Sequence, residues 1–185
     1  MVSNKLKLIE AHYEKCWGTE SDKTTWNHGP TGQLPPGFRV LVFAPNERHK
    51  MWTYATCGMS QQNDATALEL HLFSPIKIES HVELLTVIAH YHVTGDYLDV
   101  GHTVNFGRPW LPESICDHGL ISLPYLDGPR LEWLEGPLQK IHFLWLIPVS
   151  ASEVEYKKKH GLEALEYQFE KNKIDYLSSK RASVA

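Results

Sequence analysis

The chain has 185 residues, of which 42% are hydrophobic and 22% are charged, so it is long and apolar enough for one globular domain with a buried core. A formal net charge of −4 gives no electrostatic basis for binding nucleic acid, which requires a basic face. Cys16, Cys57 and Cys116 lack the paired spacing of a disulfide framework, and no apolar run is long enough to span a bilayer. We therefore expect a cytoplasmic protein that binds neither nucleic acid nor a membrane.

The first third of the chain predicts one helix and the beginning of a sheet. Apolar residues recur at helical spacing from Leu6 to Cys16 and predict an amphipathic helix at about 3–16. Residues 18–37 are rich in Gly, Thr and Pro, a composition that predicts a loop. Alternating apolar residues, many of them β-branched or aromatic, then predict three strands, at 38–44, 50–58 and 67–73.

A capping box and an apolar run predict a buried helix at 81–92. Ser80 and Glu83 stand at the spacing at which each side chain bonds the backbone N–H of the other residue. Gly95 lies just beyond the expected end of the helix. The apolar residues of this segment leave little polar face, which indicates burial on more than one side: Val82, Leu84, Leu85, Val87, Ile88, Ala89 and Tyr91.

The rest of the chain predicts short strands, one central strand and two helices. Glycines and prolines divide residues 96–138 into irregular structure, with short strands at 102–106 and 119–124. Residues 141–149 are almost continuously apolar, which is typical of a strand covered on both faces. The remaining expected features are overlapping capping boxes at Ser150 and Ser152, a helix that ends at His160 and Gly161, an amphipathic helix that carries Leu162, Leu165 and Phe169, and a frayed tail at 178–185.

Together these elements predict an α/β (α+β) fold with a mixed central sheet on which helices pack. We expect a single layered domain over residues 1–185, with its core at about 35–175. The strands at 38–44, 50–58, 67–73 and 141–149 should belong to the sheet, and helix 81–92 should pack on it.

One strand pair carries a family fingerprint. The run from Trp52 to Ser60 reads WTYATCGMS, and ELHL follows at 69–72. In an extended strand Trp52, Tyr54 and Thr56 share one face, while the residues between them share the other. This pattern resembles the suppressor of fused (SUFU) domain, in which a W-x-Y-x-x-x-G-x-S strand precedes a hydrophobic E-L strand. Later segments keep the family's order over roughly 35–175: an apolar helix at 83–91, GHTV at 101–104, an apolar strand that ends with Pro148 and Val149, and a helical stretch at 152–166.

The resemblance implies a protein that binds other proteins rather than an enzyme. The animal family member holds transcription factors by clamping an extended peptide between two domains, and this chain resembles only the first of those domains. Several stand-alone bacterial members are regarded as immunity proteins that neutralise a toxin domain in polymorphic-toxin systems. The resemblance therefore implies a sequestering or neutralising protein that needs no cofactor and carries no catalytic residue. It leaves the partner, the toxin class and the oligomeric state open.

A metal-dependent hydrolase is the alternative from a different functional class. The chain has eleven histidines, and His102, Cys116 and His118 are residue types that bind zinc. On an extended backbone Cys116 and His118 would point the same way. However, the chain contains neither an H-E-x-x-H motif nor a paired C-x-x-C motif, so we expect no metal site.

Two loops are the candidate binding surface. The loop at 105–112 carries Arg108 and Trp110, residue types enriched at binding hot spots. The loop at 125–130 carries Asp127 and Arg130 as candidate polar contacts. We expect the two loops to form one surface, with the alternative that Trp110 only packs its loop onto the sheet.

Overall fold

A computed structural model describes residues 2–29, 31–61, 67–95, 97–136 and 139–185. Within these residues, eight strands form one mixed sheet and five helices accompany it, which confirms the predicted fold class. The strands are β1 (Asp22–Thr24), β2 (Arg39–Phe43), β3 (Trp52–Cys57), β4 (Leu68–Ser74), β5 (Thr103–Asn105), β6 (Cys116–Ser122), β7 (Trp133–Glu135) and β8 (Lys140–Ser150). The helices are α1 (Val2–Trp17), α2 (Ser80–Thr94), α3 (Pro129–Glu132), α4 (Ala151–His160) and α5 (Leu162–Asn172).

The sheet has the strand order β1-β2-β3-β4-β8-β6-β5, and β7 pairs with the first residues of β8. The pair β4 and β8 is parallel, whereas its neighbours in the sheet are antiparallel. A parallel pair needs a long connection, and the chain between β4 and β8 includes α2. β8 therefore lies inside the sheet, as its apolar run predicted.

Two hydrophobic layers cover the sheet, one on each face. On one face, hereafter the α1 face, apolar residues of α1, α4 and α5 pack on the sheet. On the other, the α2 face, the apolar residues come from α2 and from the loops near it. The alternation within β3 agrees with this division, because Ala55 and Cys57 belong to the α1 face and Tyr54 belongs to the α2 face.

Helix α2 is buried as predicted, but it differs at its start and on one flank. Leu85 and Ile88 lie in the core. Glu79 occupies the N-cap position in a helical conformation, and no side chain caps the helix. The predicted capping box at Ser80 is therefore wrong, because Ser80 is already helical and the first N–H groups bond to carbonyls of the preceding turn. Val87 and Tyr91 are about half exposed, so their burial was also predicted wrongly.

Of the two overlapping capping boxes predicted at the start of α4, the one at Ser150 forms. The Ser150 hydroxyl accepts a hydrogen bond from the Glu153 N–H at 3.3 Å, and the Ser150 N–H donates to Glu153 Oε2 at 2.8 Å. This is the predicted capping box. The overlapping box at Ser152 does not form, because Ser152 lies inside the helix that Ser150 caps.

The last residues of the chain make specific contacts where the sequence predicted fraying. The Arg181 guanidinium donates to both carboxylate oxygens of Glu153 at 2.7 Å and to the Pro148 carbonyl at 2.9 Å. The Val184 N–H donates to Glu153 Oε1 at 3.1 Å. The buried Glu153 carboxylate requires a counter-charge, and the tail supplies it.

Two regions predicted to be irregular contain short elements. The loop at 18–37 includes β1, which pairs with β2 at the edge of the sheet. The region at 96–138 includes α3 and β7, and its second strand begins earlier than predicted, at Cys116. The strands β1 and β7 have three residues each and are held by pairing with the strand that follows them in the chain, which the composition of so short a segment does not specify.

Candidate partner-binding surface

The family fingerprint surrounds a buried carboxylate. Glu69 of β4 is fully buried, and its oxygens accept hydrogen bonds from Thr56 Oγ1 at 2.6 Å and from the N–H groups of Gly58 at 3.0 Å and Ser60 at 3.1 Å. Gly58 has φ 108°, a conformation that favours glycine and turns the chain back toward β4. The fingerprint therefore fixes the end of β3, and its glutamate does not face a partner.

Trp110 packs inside the α2 face. Its side chain is 3% exposed, its indole N–H donates to Ser114 Oγ at 3.0 Å, and its ring stacks on His81 with centroids 5.7 Å apart. A partner cannot reach the indole in this conformation. Arg108 of the same loop is exposed and forms an ion pair with Glu83 of α2.

The second predicted loop is held against the end of α1. The Trp17 indole N–H donates to Asp127 Oδ1 at 2.8 Å, and burial raises the pKa of Asp127. The Arg130 guanidinium donates to the Lys15 carbonyl at 2.7 Å and is exposed. Both residues thus anchor the loop, and Arg130 remains accessible beside it.

The structure does not bring the four candidate residues together. Trp110 belongs to the α2 face, whereas Asp127 bonds to Trp17 of the α1 face. The two loops also flank opposite ends of β6, which has seven residues and is about 20 Å long. Arg108 and Trp110 therefore lie on a different part of the molecule from Asp127 and Arg130.

The histidine and cysteine residues of the hydrolase alternative do not converge either. A β-bulge between Cys116 and His118 shifts the register of β6. Cys116 consequently packs into the α2 face, whereas His118 shares its side of the sheet with Leu120 of the α1 face. The two side chains point to opposite faces, contrary to the prediction.

The local chemistry of these residues also differs from that of a nucleophile or a metal ligand set. Burial raises the pKa of the Cys116 thiol, which disfavours the reactive thiolate. His118 Nδ1 lies 2.6 Å from Asp117 Oδ1, and His102 is exposed in a turn. Across the residues that the structure describes, no three His, Cys, Asp or Glu side chains are grouped to hold a metal ion.

A surface that sequence reasoning missed combines exposed apolar side chains with carboxylates. Tyr125 is 57% exposed, Leu126 is 49% exposed, and Tyr167 of α5 is 60% exposed. We call this surface the acidic tyrosine face and define it as Tyr125, Leu126, Glu163, Glu166, Tyr167 and Glu170. The predicted loop at 125–130 contributes Tyr125 and Leu126 to this face, whereas the contacts predicted from sequence were Asp127 and Arg130.

The geometry of α5 places these residues side by side. Leu165 and Phe169 point into the α1 face. At about 100° per residue, Glu166, Glu170, Glu163 and Tyr167 then follow one another around a single flank of the helix. This flank could have been predicted from the amphipathic pattern of 162–172, because the buried positions of a helix determine which residues lie beside them.

Hydrogen bonds join the loop to this flank. The Tyr125 hydroxyl donates to Glu166 Oε1 at 3.2 Å, and the Ser122 hydroxyl donates to the same oxygen at 2.8 Å. Burial raises the pKa of Tyr125, and the negative charges of Glu166 and Glu170 raise it further. Glu170 therefore also lies near Tyr125, and the face is continuous from the loop to the helix.

A groove also lies between α1 and the β1 edge. Its cavity volume is about 550 Å³, and Leu6, Glu10, Lys23 and Arg39 contribute to its lining. Glu10 contacts both Lys23, at 3.1 Å, and Arg39. These charges already neutralise one another, so the groove offers a ligand less unpaired charge than the acidic tyrosine face does. In the described part of the chain, no helix has the length and apolar character needed to cross a membrane.

Comparison with known proteins gives the family context. The family model for suppressor of fused protein (SUFU) matches residues 35–182. Among solved structures, the chain is similar to a protein from Neisseria gonorrhoeae FA 1090 that is described as a SUFU homologue. The two are 32% identical, the TM-score is 0.87, and the alignment covers 99% of this chain and 98% of that chain.

More distant relatives agree with this match. Immunity protein YqcF of Bacillus subtilis (strain 168) is 22% identical over 154 residues, which cover 78% of this chain and 80% of that protein. The crystal structure of a Sufu–Fu complex has the same fold, with a TM-score of 0.70 at 16% identity over 97% of this chain and 92% of that chain. Because the family model covers most of the sequence and includes the whole fingerprint, this chain belongs to the suppressor of fused family.

Proposed function

We propose that this protein is a non-enzymatic binding module that captures one protein partner and blocks its activity, in the role of an immunity protein. The observation that carries the proposal is the similarity to immunity protein YqcF over 78% of this chain, together with membership in the suppressor of fused family. The solved Sufu–Fu complex supports protein capture as a use of this fold. A neutralised toxin domain is the partner that this role requires.

The chemistry of the molecule supports binding rather than catalysis. The fingerprint carboxylate is buried among hydrogen-bond donors, and the cysteine of the hydrolase alternative has a raised pKa. Cys16, Cys57 and Cys116 are free thiols, which fits the reducing cytoplasm that we propose as the site of action. Capture would be stoichiometric, through a surface patch or by addition of a strand to the sheet edge at β1 or β5.

Co-expression with the product of a neighbouring gene tests the proposal. The partner to be sought is a large secreted protein with a variable C-terminal domain, if a neighbouring gene encodes one. We expect this domain to arrest growth when it is expressed alone, and we expect co-expression of the present protein to restore growth and to give a 1:1 complex in size-exclusion chromatography with light scattering. Failure to form a complex or to restore growth would reject the immunity role. Stoichiometric zinc that survives dialysis would favour the hydrolase instead.

A further inference from the structure

We infer that the acidic tyrosine face is the surface that holds the partner, and that the partner presents a segment rich in arginine and lysine. This inference rests on the proposed function and names the chemistry of the protein that is captured. It is carried by the exposure of three apolar side chains, by three carboxylates beside them, and by the way in which the face is held together.

The exposed apolar side chains give the face its binding area. Tyr167 and Tyr125 have the largest exposed fractions among the large apolar side chains that the structure describes as exposed. Leu126 adjoins Tyr125 in the chain and is half exposed. Tyrosine is enriched among interface residues that contribute most to affinity, because its ring has a large apolar area and its hydroxyl can still bond to water or to a partner.

The charges of the face identify its occupant. Several glutamates elsewhere on the surface pair with cations, as Glu83 does with Arg108 and Glu155 does with Lys158. Among the described residues, no ion pair involves Glu163, Glu166 or Glu170. Like charges three and four positions apart also repel one another along a helix. Cations from a partner would relieve this repulsion.

The orientation of the face suits guanidinium and ammonium groups. Glu166 accepts hydrogen bonds from Tyr125 and Ser122, so its carboxylate and the Tyr125 ring are held in place before a partner arrives. An arginine or lysine beside Glu170 would lie near the Tyr125 ring, where a cation interacts favourably with the π electrons. Bidentate ion pairs to the carboxylates would favour arginine over lysine.

The first test measures affinity for the partner found by the co-expression experiment. We expect Tyr167→Ala to weaken binding at least about tenfold. Glu170→Lys should weaken binding more than Tyr167→Ala does. The affinity of the unmodified protein should fall as salt is raised from about 50 to 500 mM. The matched controls are Tyr91→Ala in α2 and Glu79→Lys at its N-cap, which change the same residue types at exposed positions away from the face. If the controls weaken binding and the face variants do not, the inference is wrong while the immunity role stands.

A second test does not depend on the identity of the partner. The probe is a synthetic arginine-rich decapeptide, titrated into isotopically labelled protein and followed by NMR. We expect the shifted resonances to cluster at Tyr125, Leu126 and Tyr167, and to disappear in the Glu163→Gln/Glu170→Gln double variant. Shifts at another surface, or none at all, would overturn the inference. Since this result needs no partner, it also decides the inference if the co-expression experiment finds none.

Discussion

At the scale of single residues, a variant of Trp110 can distinguish a structural role of this side chain from a role in binding. The indole is enclosed by His81 and Ser114 in the α2 face. We expect Trp110→Ala to lower the free energy of unfolding by about 3–5 kcal/mol, because it removes a buried ring and leaves a cavity. The affinity of the folded fraction for the partner should stay unchanged. Chemical denaturation and calorimetric titration on the same variant measure the two quantities.

A conservative variant controls this experiment. Trp110→Phe keeps most of the ring volume and loses the hydrogen bond to Ser114, so we expect a smaller loss of stability than for alanine. A weaker complex with an unchanged denaturation midpoint in Trp110→Ala would contradict the packing role. It would restore Trp110 as a contact residue.

Two buried histidines make the stability depend on pH. Burial, with a contribution from nearby His49, lowers the pKa of His71 to about 3, and burial together with Arg108 lowers the pKa of His81 to about 3. In the unfolded chain both histidines titrate near pH 6.5. Below that pH the unfolded state therefore binds protons that the folded state does not bind. Their contribution to stability is complete above pH 6.5 and declines toward pH 3. At pH 5 we expect each histidine to lower the free energy of unfolding by about 2 kcal/mol relative to its value well above pH 6.5.

Denaturation curves between pH 7 and pH 5 measure this loss. His71 is the better residue for a control, because neither of its ring nitrogens has a hydrogen-bond partner among the described residues. His71→Phe should therefore flatten the pH profile without removing a hydrogen bond. A stability that stays constant down to pH 5 would show that these histidines are not buried in the neutral form.

At the scale of secondary-structure elements, the stability of α2 should depend on the side of the helix that packs on the sheet. Leu85 and Ile88 are buried against the sheet, whereas Val87 between them is half exposed. We expect Leu85→Ala and Ile88→Ala each to lower the free energy of unfolding by about 2–5 kcal/mol. Val87→Ala should have little effect, because its side chain is already in contact with water. Equal losses for all three variants in urea denaturation would contradict this orientation of the helix.

Elements with a strong local pattern were predictable from sequence. The apolar run of β8 and the capping box at Ser150 appear in the structure where the sequence placed them. The same capping motif failed at Ser80, because the turn before it continues the helix backward and supplies the carbonyls that the first N–H groups need. A motif of four residues cannot show what the chain before it does.

The local sequence pattern could not predict the bulge in β6, for a similar reason. One extra residue between Cys116 and His118 reverses which face of the sheet each side chain meets. A two-residue spacing in a strand predicts a shared face only where the ladder is regular. The predicted proximity of these two side chains was therefore wrong, although both residues do belong to one strand.

At the scale of the whole molecule, the arrangement of strands decides which loops meet. The sequence predicted the main strands, but not that β8 would insert between β4 and β6. The loop at 105–112 and the loop at 125–130 lie at opposite ends of β6, because one precedes this strand in the chain and the other follows it. The order of motifs nevertheless identified the family, because it depends on the sequence of elements rather than on their contacts. That residues 1–185 form one domain stays a prediction.

The end of the chain is tied to the body of the molecule by a buried ion pair. The side chains of Arg181 and Glu153 are 6% and 0% exposed. Burial opposes the charge of Glu153, but the hydrogen bonds and charge of Arg181 outweigh it and lower the pKa of Glu153 below its ordinary value. Removal of one partner from such a pair leaves an uncompensated charge in the interior. We therefore expect Arg181→Ala to lower the free energy of unfolding by about 3–5 kcal/mol.

Neighbouring variants make this last prediction specific. Lys180 pairs with Glu113 at the surface, where both side chains are more than 70% exposed, so Lys180→Ala should change stability by less than about 1 kcal/mol. Arg181→Lys keeps the charge and loses the bidentate geometry, and it should fall between the two. A chain shortened to residue 180 should lose at least as much stability as Arg181→Ala, because it removes the same cation and also the Val184 N–H that bonds to Glu153. If that shortened chain unfolds at the same urea concentration as the full chain, the tail does not contribute to the stability of the fold.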